Sequence, residues 1–261
     1  MHASLIHLGS LHIPVFSAFA VVGLIVALLL SQRTAVLAGL APEAMWDAGV
    51  VAAISVFVIS RLLLVAFNFK SFLAYPTLIL TLPSVTLTGL FGTGVVMMYY
   101  LRHRGISYAR FLDAAAPCLA LLWAILSLGG FATGSEGLPT TLPWGIEDAM
   151  LGRIHPVEVY TAIAAVLLCI VLMRALFVAH TRGDAPGKTA ATGLFLFGAI
   201  AFFLSFLTQP SESSQIFILD PVQWLGLGSI ELGTVMALPH LDDVSTGNAP
   251  ATSQESSPHA I

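Results

Sequence analysis

Seven long runs of apolar residues alternate along the chain with shorter polar segments. Each run approaches the roughly 20 residues that an α-helix needs to cross the hydrocarbon core of a bilayer. The pattern therefore predicts an all-α, polytopic integral membrane protein with seven transmembrane helices. The predicted spans are 13–31, 49–67, 85–101, 111–129, 157–179, 191–208 and 222–238.

A cleaved signal peptide is the competing interpretation of the first run. It is disfavoured because residues 1–12 contain no lysine or arginine, and because the apolar stretch is too long for the central region of a signal peptide. We therefore expect the first run to be retained as a span.

Lysine and arginine are distributed unequally between the two sides of the predicted bundle. Lys70 and Arg153 fall on one side, and Arg61 lies within the second span. The remaining seven fall on the other side, which the positive-inside rule assigns to the cytoplasm. The N-terminus is thus predicted outside and the C-terminus inside. The seven cytoplasmic residues are Arg33, Arg102, Arg104, Arg110, Arg174, Arg182 and Lys188.

Three connecting segments differ from ordinary loops. Residues 71–84 are too few to cross a bilayer but too apolar for a solvated loop, so we expect them in the interface or dipping into the bundle. Residues 132–155 form a long outer connection, which is more often functional or disordered than incidental. Residues 239–261 lack aromatic side chains and are predicted to be a disordered cytoplasmic tail, beyond a membrane domain over 1–238.

The composition supports a membrane protein and excludes several other classes. Apolar and aromatic residues make up 57% of the chain, charged residues 9%, and the mean hydropathy is +0.91. A formal charge of −4 argues against nucleic-acid binding. Cys118 and Cys169 lie in apolar runs, so we expect buried thiols and not a disulfide. The pattern contains no metal-binding motif and indicates no cofactor.

Ionisable residues at membrane depth are functional candidates by default. Arg61 either extends outward to the headgroups or faces the interior and binds an anion such as a lipid phosphate. Asp113 lies near the inner boundary, three residues after Arg110, and is predicted to be structural. Glu158 begins the fifth span, and for Glu231, in the seventh span, structural and functional roles stay equally open.

The long outer connection carries further candidates. Glu136 lies near its start, and His155 precedes a proline at the start of the fifth span. Tyr160 follows roughly one turn later, so His155 and Tyr160 are predicted to share the mouth of one cavity. A single histidine in such a place is more often structural than catalytic.

Four stretches, taken in order, resemble the prolipoprotein diacylglyceryl transferase family. They are SRLLLVAFNFKSFLAYPTLIL at 60–80, FLDAAAPCLALLWAILSLGGFATG at 111–134, LPWG at 142–145 and HPVEVY at 155–160. The resemblance extends over about 9–238. The positions that match family motifs include Arg61, Asp113, Pro117, Gly129, Phe131, Gly134, His155, Pro156 and Tyr160.

This resemblance implies a fold, a reaction and partners. Family members span the bacterial inner membrane seven times with the N-terminus outside. They move a diacylglyceryl group from phosphatidylglycerol to the lipobox cysteine of a preprolipoprotein and release glycerol phosphate. On this basis the implied partners are phosphatidylglycerol and a preprolipoprotein, or another membrane protein if the chain is repurposed.

The chain departs from the family at most positions that would bind phosphate or activate the thiol. The family's histidine corresponds to Thr88, one of its arginines to Ser127 and an asparagine to Gly130. In the sixth span an arginine and a glutamate correspond to Ala201 and Ser205. The remaining departures are Leu90, Thr133, Ser135 and Thr208, with Phe16 at a tyrosine position.

These substitutions predict an inactive or repurposed member of the family, because the strong phosphate contacts are charge-assisted. Arg61 and Arg153 are the candidates for binding a lipid phosphate. His155, Tyr160 and Glu136 are the candidates for any remaining catalysis. The alternatives are an accessory or lipid-binding subunit of a membrane complex, and a small transporter. The transporter is less favoured because no paired repeat is visible.

Overall fold

The computed structural model describes residues 5–8, 11–69, 86–135, 137–209 and 219–246. Within them the chain forms seven helices and two short antiparallel hairpins. The helices are α1 (Val15–Leu37), α2 (Pro42–Phe67), α3 (Leu87–His103), α4 (Tyr108–Thr133), α5 (Val157–Arg182), α6 (Lys188–Ser205) and α7 (Pro221–Thr246). The strands are β1 (Leu5–Leu8), β2 (Leu11–Pro14), β3 (Ile146–Asp148) and β4 (Gly152–Ile154).

Each predicted span overlaps one helix, but the helix ends differ from the prediction. α1 continues six residues past the predicted end at Ser31, and α2 begins at Pro42, seven residues before the predicted start. α7 begins at Pro221 and runs to Thr246, through part of the predicted tail. Hydropathy marks only the apolar part of a helix, whereas backbone hydrogen bonding continues into polar residues. The chain beyond Thr246 and the connection 71–84 lie outside the described residues.

Five of the described helices are long and apolar enough to cross a membrane: α1, α2, α4, α5 and α6. The 17 residues of α3 extend about 26 Å, slightly less than the hydrocarbon core. α7 includes Gln223, Glu231 and three glycines, which make it less apolar. The molecule is therefore a helical, multi-pass membrane protein.

The described helices pack as a series of neighbours. α4 contacts α1, α5 and α6, and its buried side is made of small residues such as Ala114, Ala120 and Gly129. α2 contacts α1 on one side and α3 on the other, while α7 packs extensively against α6. α4 thus lies near the middle of the bundle, and α3 and α7 lie toward its two ends.

Glycine permits the closest helix contacts. A Cβ atom added at Gly226 would lie 2.9 Å from the carbonyl oxygen of Gly198, and one added at Gly198 would collide with the backbone of α7. A Cβ added at Gly89 in α3 would overlap Ser60 in α2, whose hydroxyl accepts a hydrogen bond from the N–H of Thr86 at 3.2 Å. Small residues at such contacts are typical of membrane helix packing.

Asp113 has the structural role that its position predicts. Its buried carboxylate accepts hydrogen bonds from the backbone N–H groups of Gly187 at 2.6 Å and Ala190 at 2.7 Å. These groups lie at the start of α6, where helix N–H donors lack partners within the helix. Asp113 therefore caps α6 from α4 and joins two elements that are far apart in sequence.

Candidate functional site

The described part of the connection between α4 and α5 is folded, and it is attached to the end of α6. The N–H of Leu138 donates to the carbonyl of Leu207 at 2.8 Å, and the N–H of His155 donates to the carbonyl of Leu138 at 2.9 Å. Gly137 fits here because a Cβ atom would overlap the backbone of His155. This segment holds the start of α5 in a defined position, so side chains there have fixed neighbours.

The structure brings His155 and Tyr160 together, as their spacing predicts. The Nδ1 atom of His155 lies 3.5 Å from the hydroxyl of Tyr160, and the two rings meet edge to face with centroids 6.1 Å apart. The indole N–H of Trp144, within the LPWG stretch, donates to the same hydroxyl at 2.8 Å. The site therefore includes Trp144, which the sequence pattern alone does not mark as a site residue.

A second polar contact lies beside the first. The hydroxyl of Ser135 donates a hydrogen bond to the carboxylate of Glu158, and it lies 3.5 Å from the carbonyl oxygen of His155. Gly130 adjoins this contact, since a Cβ atom there would lie 3.5 Å from Cγ of Glu158. Glu158 thus lies beside Gly130 and Ser135. At both positions this chain departs from the polar residues of the family pattern.

The two contacts lie on different sides of α5. Glu158 and Tyr160 are two residues apart, which separates their side chains by about 200° around a helix. Glu158 is directed toward the end of α4, while Tyr160 is paired with Trp144 from the loop. Among the described residues at this site, a nucleophile, a histidine and a carboxylate are therefore not joined in one chain of hydrogen bonds.

The guanidinium of Arg61 is partly buried. Its Nε and Nη1 atoms are buried and have no hydrogen-bond partner within the described part of the chain. The guanidinium carbon lies 5.4 Å from the ring centroid of Phe57, one turn earlier in α2. An inward-facing arginine here is expected to reach polar groups of the third to fifth spans, but no such hydrogen bond is found among the described residues. Two buried donors without partners are costly and are suited to an anion.

At the other substituted family positions described here, the hydroxyl groups bond to residues that are close in sequence. Thr88 is exposed and its hydroxyl lies 3.2 Å from that of Thr86, while Ser127 donates to the carbonyl of Trp123 at 2.9 Å. Ala201 is buried, and Ser205 is buried and donates to the carbonyl of Phe202. None of these side chains can supply a positive charge.

Arg153 lies exposed on the β3–β4 hairpin, opposite Glu147 in the register. At the tip the backbone N–H groups of Met150 and Leu151 donate to the carboxylate of Asp148 and lower its pKa. These bonds stabilise the turn that carries Arg153.

Glu136 lies outside the described residues. The part of the chain that the structure describes contains no group of three potential metal ligands.

Comparison with known proteins shows the family to which this chain is related. The family model for prolipoprotein diacylglyceryl transferase matches residues 3–240. The chain belongs to the prolipoprotein diacylglyceryl transferase family. The resemblance predicted from the four stretches is therefore confirmed, and the match extends through all seven described helices except the last turns of α7.

Several curated relatives carry the name phosphatidylglycerol–prolipoprotein diacylglyceryl transferase. The chain is 29% identical to the protein of Bordetella avium over 58% of this chain and 54% of the relative. It is 28% identical to that of Synechococcus elongatus over 75% and 72%, and 33% identical to that of Enterococcus faecalis over 62% and 64%. The chain spans about half the length of the Bordetella relative. Similarity at this level supports a transferase-like membrane protein.

Proposed function

We propose that this chain is a lipid-binding member of the prolipoprotein diacylglyceryl transferase family, in the bacterial inner membrane, that has lost the family's transfer reaction. The observation that carries the proposal is the loss of cationic side chains together with the buried donors of Arg61, which have no hydrogen-bond partner among the described residues. The lipid that the resemblance implies is phosphatidylglycerol, bound through its phosphate. Repurposing as an accessory subunit is compatible with the same site.

Lipid binding is supported by the surroundings of Arg61. A phosphodiester oxygen accepts charge-assisted hydrogen bonds from a guanidinium, and such bonds are stronger than those between neutral groups. A phosphate beside Arg61 would satisfy donors that find no partner in the described residues. Arg153 is a second candidate, but its exposure on the hairpin makes its contribution smaller because water screens it.

Loss of transfer is supported by the chemistry of the family reaction. The thiol must lose its proton, and the departing glycerol phosphate carries negative charge that cations stabilise. Thr88, Ser127 and Ala201 stand where the family has a histidine and two arginines, and they can supply neither a base nor a cation near neutral pH. His155 and Tyr160 remain in contact, but they do not replace the lost charge.

We predict that the purified chain, given phosphatidylglycerol and a lipobox peptide, forms no diacylglyceryl-thioether product above background. The same preparation is expected to retain phospholipid, as measured by native mass spectrometry. Arg61→Gln should reduce that retention about tenfold, because a charge-assisted contact is worth roughly 1.5–3 kcal/mol. A curated relative assayed in parallel is the positive control, because product formed by it shows that both substrates can react.

Arg153→Gln is the matched control, since it removes an exposed arginine and should change lipid retention less than Arg61→Gln. Robust transfer by the unmodified chain, abolished by substitution of either arginine, would show that the charge has been relocated and would refute the loss of the reaction. Equal lipid retention by the two variants would refute the role of Arg61.

We further propose that all seven helices cross the membrane, with the N-terminus outside and the C-terminus in the cytoplasm. The charge asymmetry and the family resemblance support this orientation. Reporter fusions after Gly137 and after Thr246 should then report opposite compartments, with the first outside. The same compartment for both fusions would contradict the topology.

A further inference from the structure

A polar cavity lies at the end of the bundle where α1 and α5 finish and α4 and α6 begin. Its volume is about 280 Å³, near the lower limit of ordinary ligand pockets, so it suits a small polar group. Its wall is made by the turn after α1, the first turn of α4, the last turns of α5 and the turn that leads into α6.

This cavity is separate from the site around Arg61. α2 begins at the same end of the bundle as the cavity, directly after the turn that follows α1. Arg61 lies 19 residues after the first residue of α2, or about 28 Å along the helix. A ligand in the cavity therefore does not contact Arg61.

Both carboxylates in the cavity wall already have partners. Asp113 accepts hydrogen bonds from the backbone N–H groups of Gly187 and Ala190 at the start of α6. Asp184 pairs with the Nζ atom of Lys188 at 3.1 Å. The negative charge of the wall is thus offset by neighbouring donors and does not by itself require a cation as ligand.

Two side chains that donate hydrogen bonds line the same cavity from different helices, Arg110 from α4 and His180 from α5. The Nη1 atom of Arg110 lies beside the turn after α1, since a Cβ atom at Gly39 would be 3.7 Å from it. Within the part of the chain that the structure describes, neither side chain forms a hydrogen bond or an ion pair. Arg110 therefore brings a positive charge to the wall that no described carboxylate offsets.

We propose that this cavity binds the phosphate group of a phosphate ester through the guanidinium of Arg110 and the imidazole of His180. A guanidinium presents two parallel N–H groups that match two phosphate oxygens. The imidazole of histidine has an N–H donor in both its neutral and its charged form, so it contributes in either state.

The two donors favour phosphate over a carboxylate. A carboxylate has two oxygens in one plane, and a single guanidinium can bind both of them. A tetrahedral phosphate has further oxygens that point away from the guanidinium, and these can accept from His180 on the neighbouring helix. Binding between two helices therefore uses both donors only when the anion is tetrahedral.

Isothermal titration calorimetry at pH 7 tests the site. The full chain carries Arg61→Gln, so that phosphate bound near Arg61 does not contribute, and it is dissolved in a maltoside detergent, which contains no phosphate. The ligands are glycerol 3-phosphate, the short-chain lipid dihexanoyl phosphatidic acid, and acetate as the carboxylate. We expect saturable binding of a phosphate ester and at least tenfold weaker binding of acetate.

Arg110→Gln should weaken phosphate binding about fivefold, because a charge-assisted contact is lost but the exposed arginine is partly screened by water. His180→Gln is an independent variant that should weaken binding by a smaller factor. Arg182→Gln is the matched control, since Arg182 is also exposed near the end of α5 but does not line the cavity. It should leave the affinity unchanged. Size-exclusion chromatography confirms that each variant is folded.

The two phosphate ligands separate the sources of the group. Binding of the lipid at least tenfold more tightly than glycerol 3-phosphate would identify a phospholipid headgroup, whereas similar affinities would identify a soluble phosphate ester. Three results would overturn the proposal: no saturable binding of either phosphate ligand, equal affinity for acetate, or equal effects of Arg110→Gln and Arg182→Gln.

Discussion

Gly198→Val is expected to lower the free energy of unfolding by about 3 kcal/mol, since overpacking a tight contact typically costs 1–3 kcal/mol and occasionally more. The first side-chain atom would collide with the carbonyl of Gly226 and lie 2.8 Å from the N–H nitrogen of Ile230. Both atoms belong to the backbone of α7, so neither can move aside by a rotamer change. The helices must separate, and α7 would lose its main neighbour in the described bundle.

The measurement is thermal denaturation of the detergent-solubilised protein, followed by size-exclusion chromatography. Gly94→Val is the control, because Gly94 is also a helical glycine but, unlike the buried Gly198, it is exposed and a Cβ atom there meets nothing within 4 Å. The control should change the melting temperature only slightly. Equal melting temperatures for the two variants would mean that α6 and α7 are not in the contact described.

Asp113→Ala is expected to cost about 3 kcal/mol of stability, because it removes two charge-assisted hydrogen bonds from a buried carboxylate. The N–H groups of Gly187 and Ala190 would lose their acceptors at the start of α6. Asp113→Asn should fall between the wild type and the alanine variant, because the amide keeps one acceptor oxygen. Thermal denaturation at fixed pH measures the series.

Asp184→Ala is a suitable comparison for this series. Asp184 also lies near the start of α6, but it pairs with the exposed Lys188 at 3.1 Å, and exposed ion pairs contribute at most about 1 kcal/mol. If Asp113→Ala destabilised the protein no more than Asp184→Ala, the capping role of Asp113 would be contradicted.

The existence and order of the helices could be predicted because long apolar runs have few structural alternatives in a membrane protein. The helix ends could not, since polar residues such as Glu43 at the start of α2 continue the backbone hydrogen bonding outside the apolar region. The family could also be recognised from sequence, because its motifs keep their order along the chain. The sequence left two orientations of Arg61 open, and the structure shows its Nε and Nη1 atoms buried.

Contacts made by distant parts of the chain were less predictable. His155 and Tyr160 are close in sequence, so their proximity follows from local spacing. Trp144 reaches Tyr160 only because the connection between α4 and α5 folds back over the start of α5. Ser135 and Glu158 meet because α4 and α5 pack side by side, which brings together residues that are 23 positions apart.

The sequence by itself determined that this protein is a helical membrane protein of the diacylglyceryl transferase family with altered polar positions. Hydropathy and charge act locally and are visible in the order of residues. The tertiary structure decided which polar groups meet: Asp113 meets the start of α6, and Glu158 meets Ser135. It also buried two donors of Arg61 that have no partner among the described residues. Such pairings depend on the rotation and separation of packed helices, and a linear pattern does not specify either.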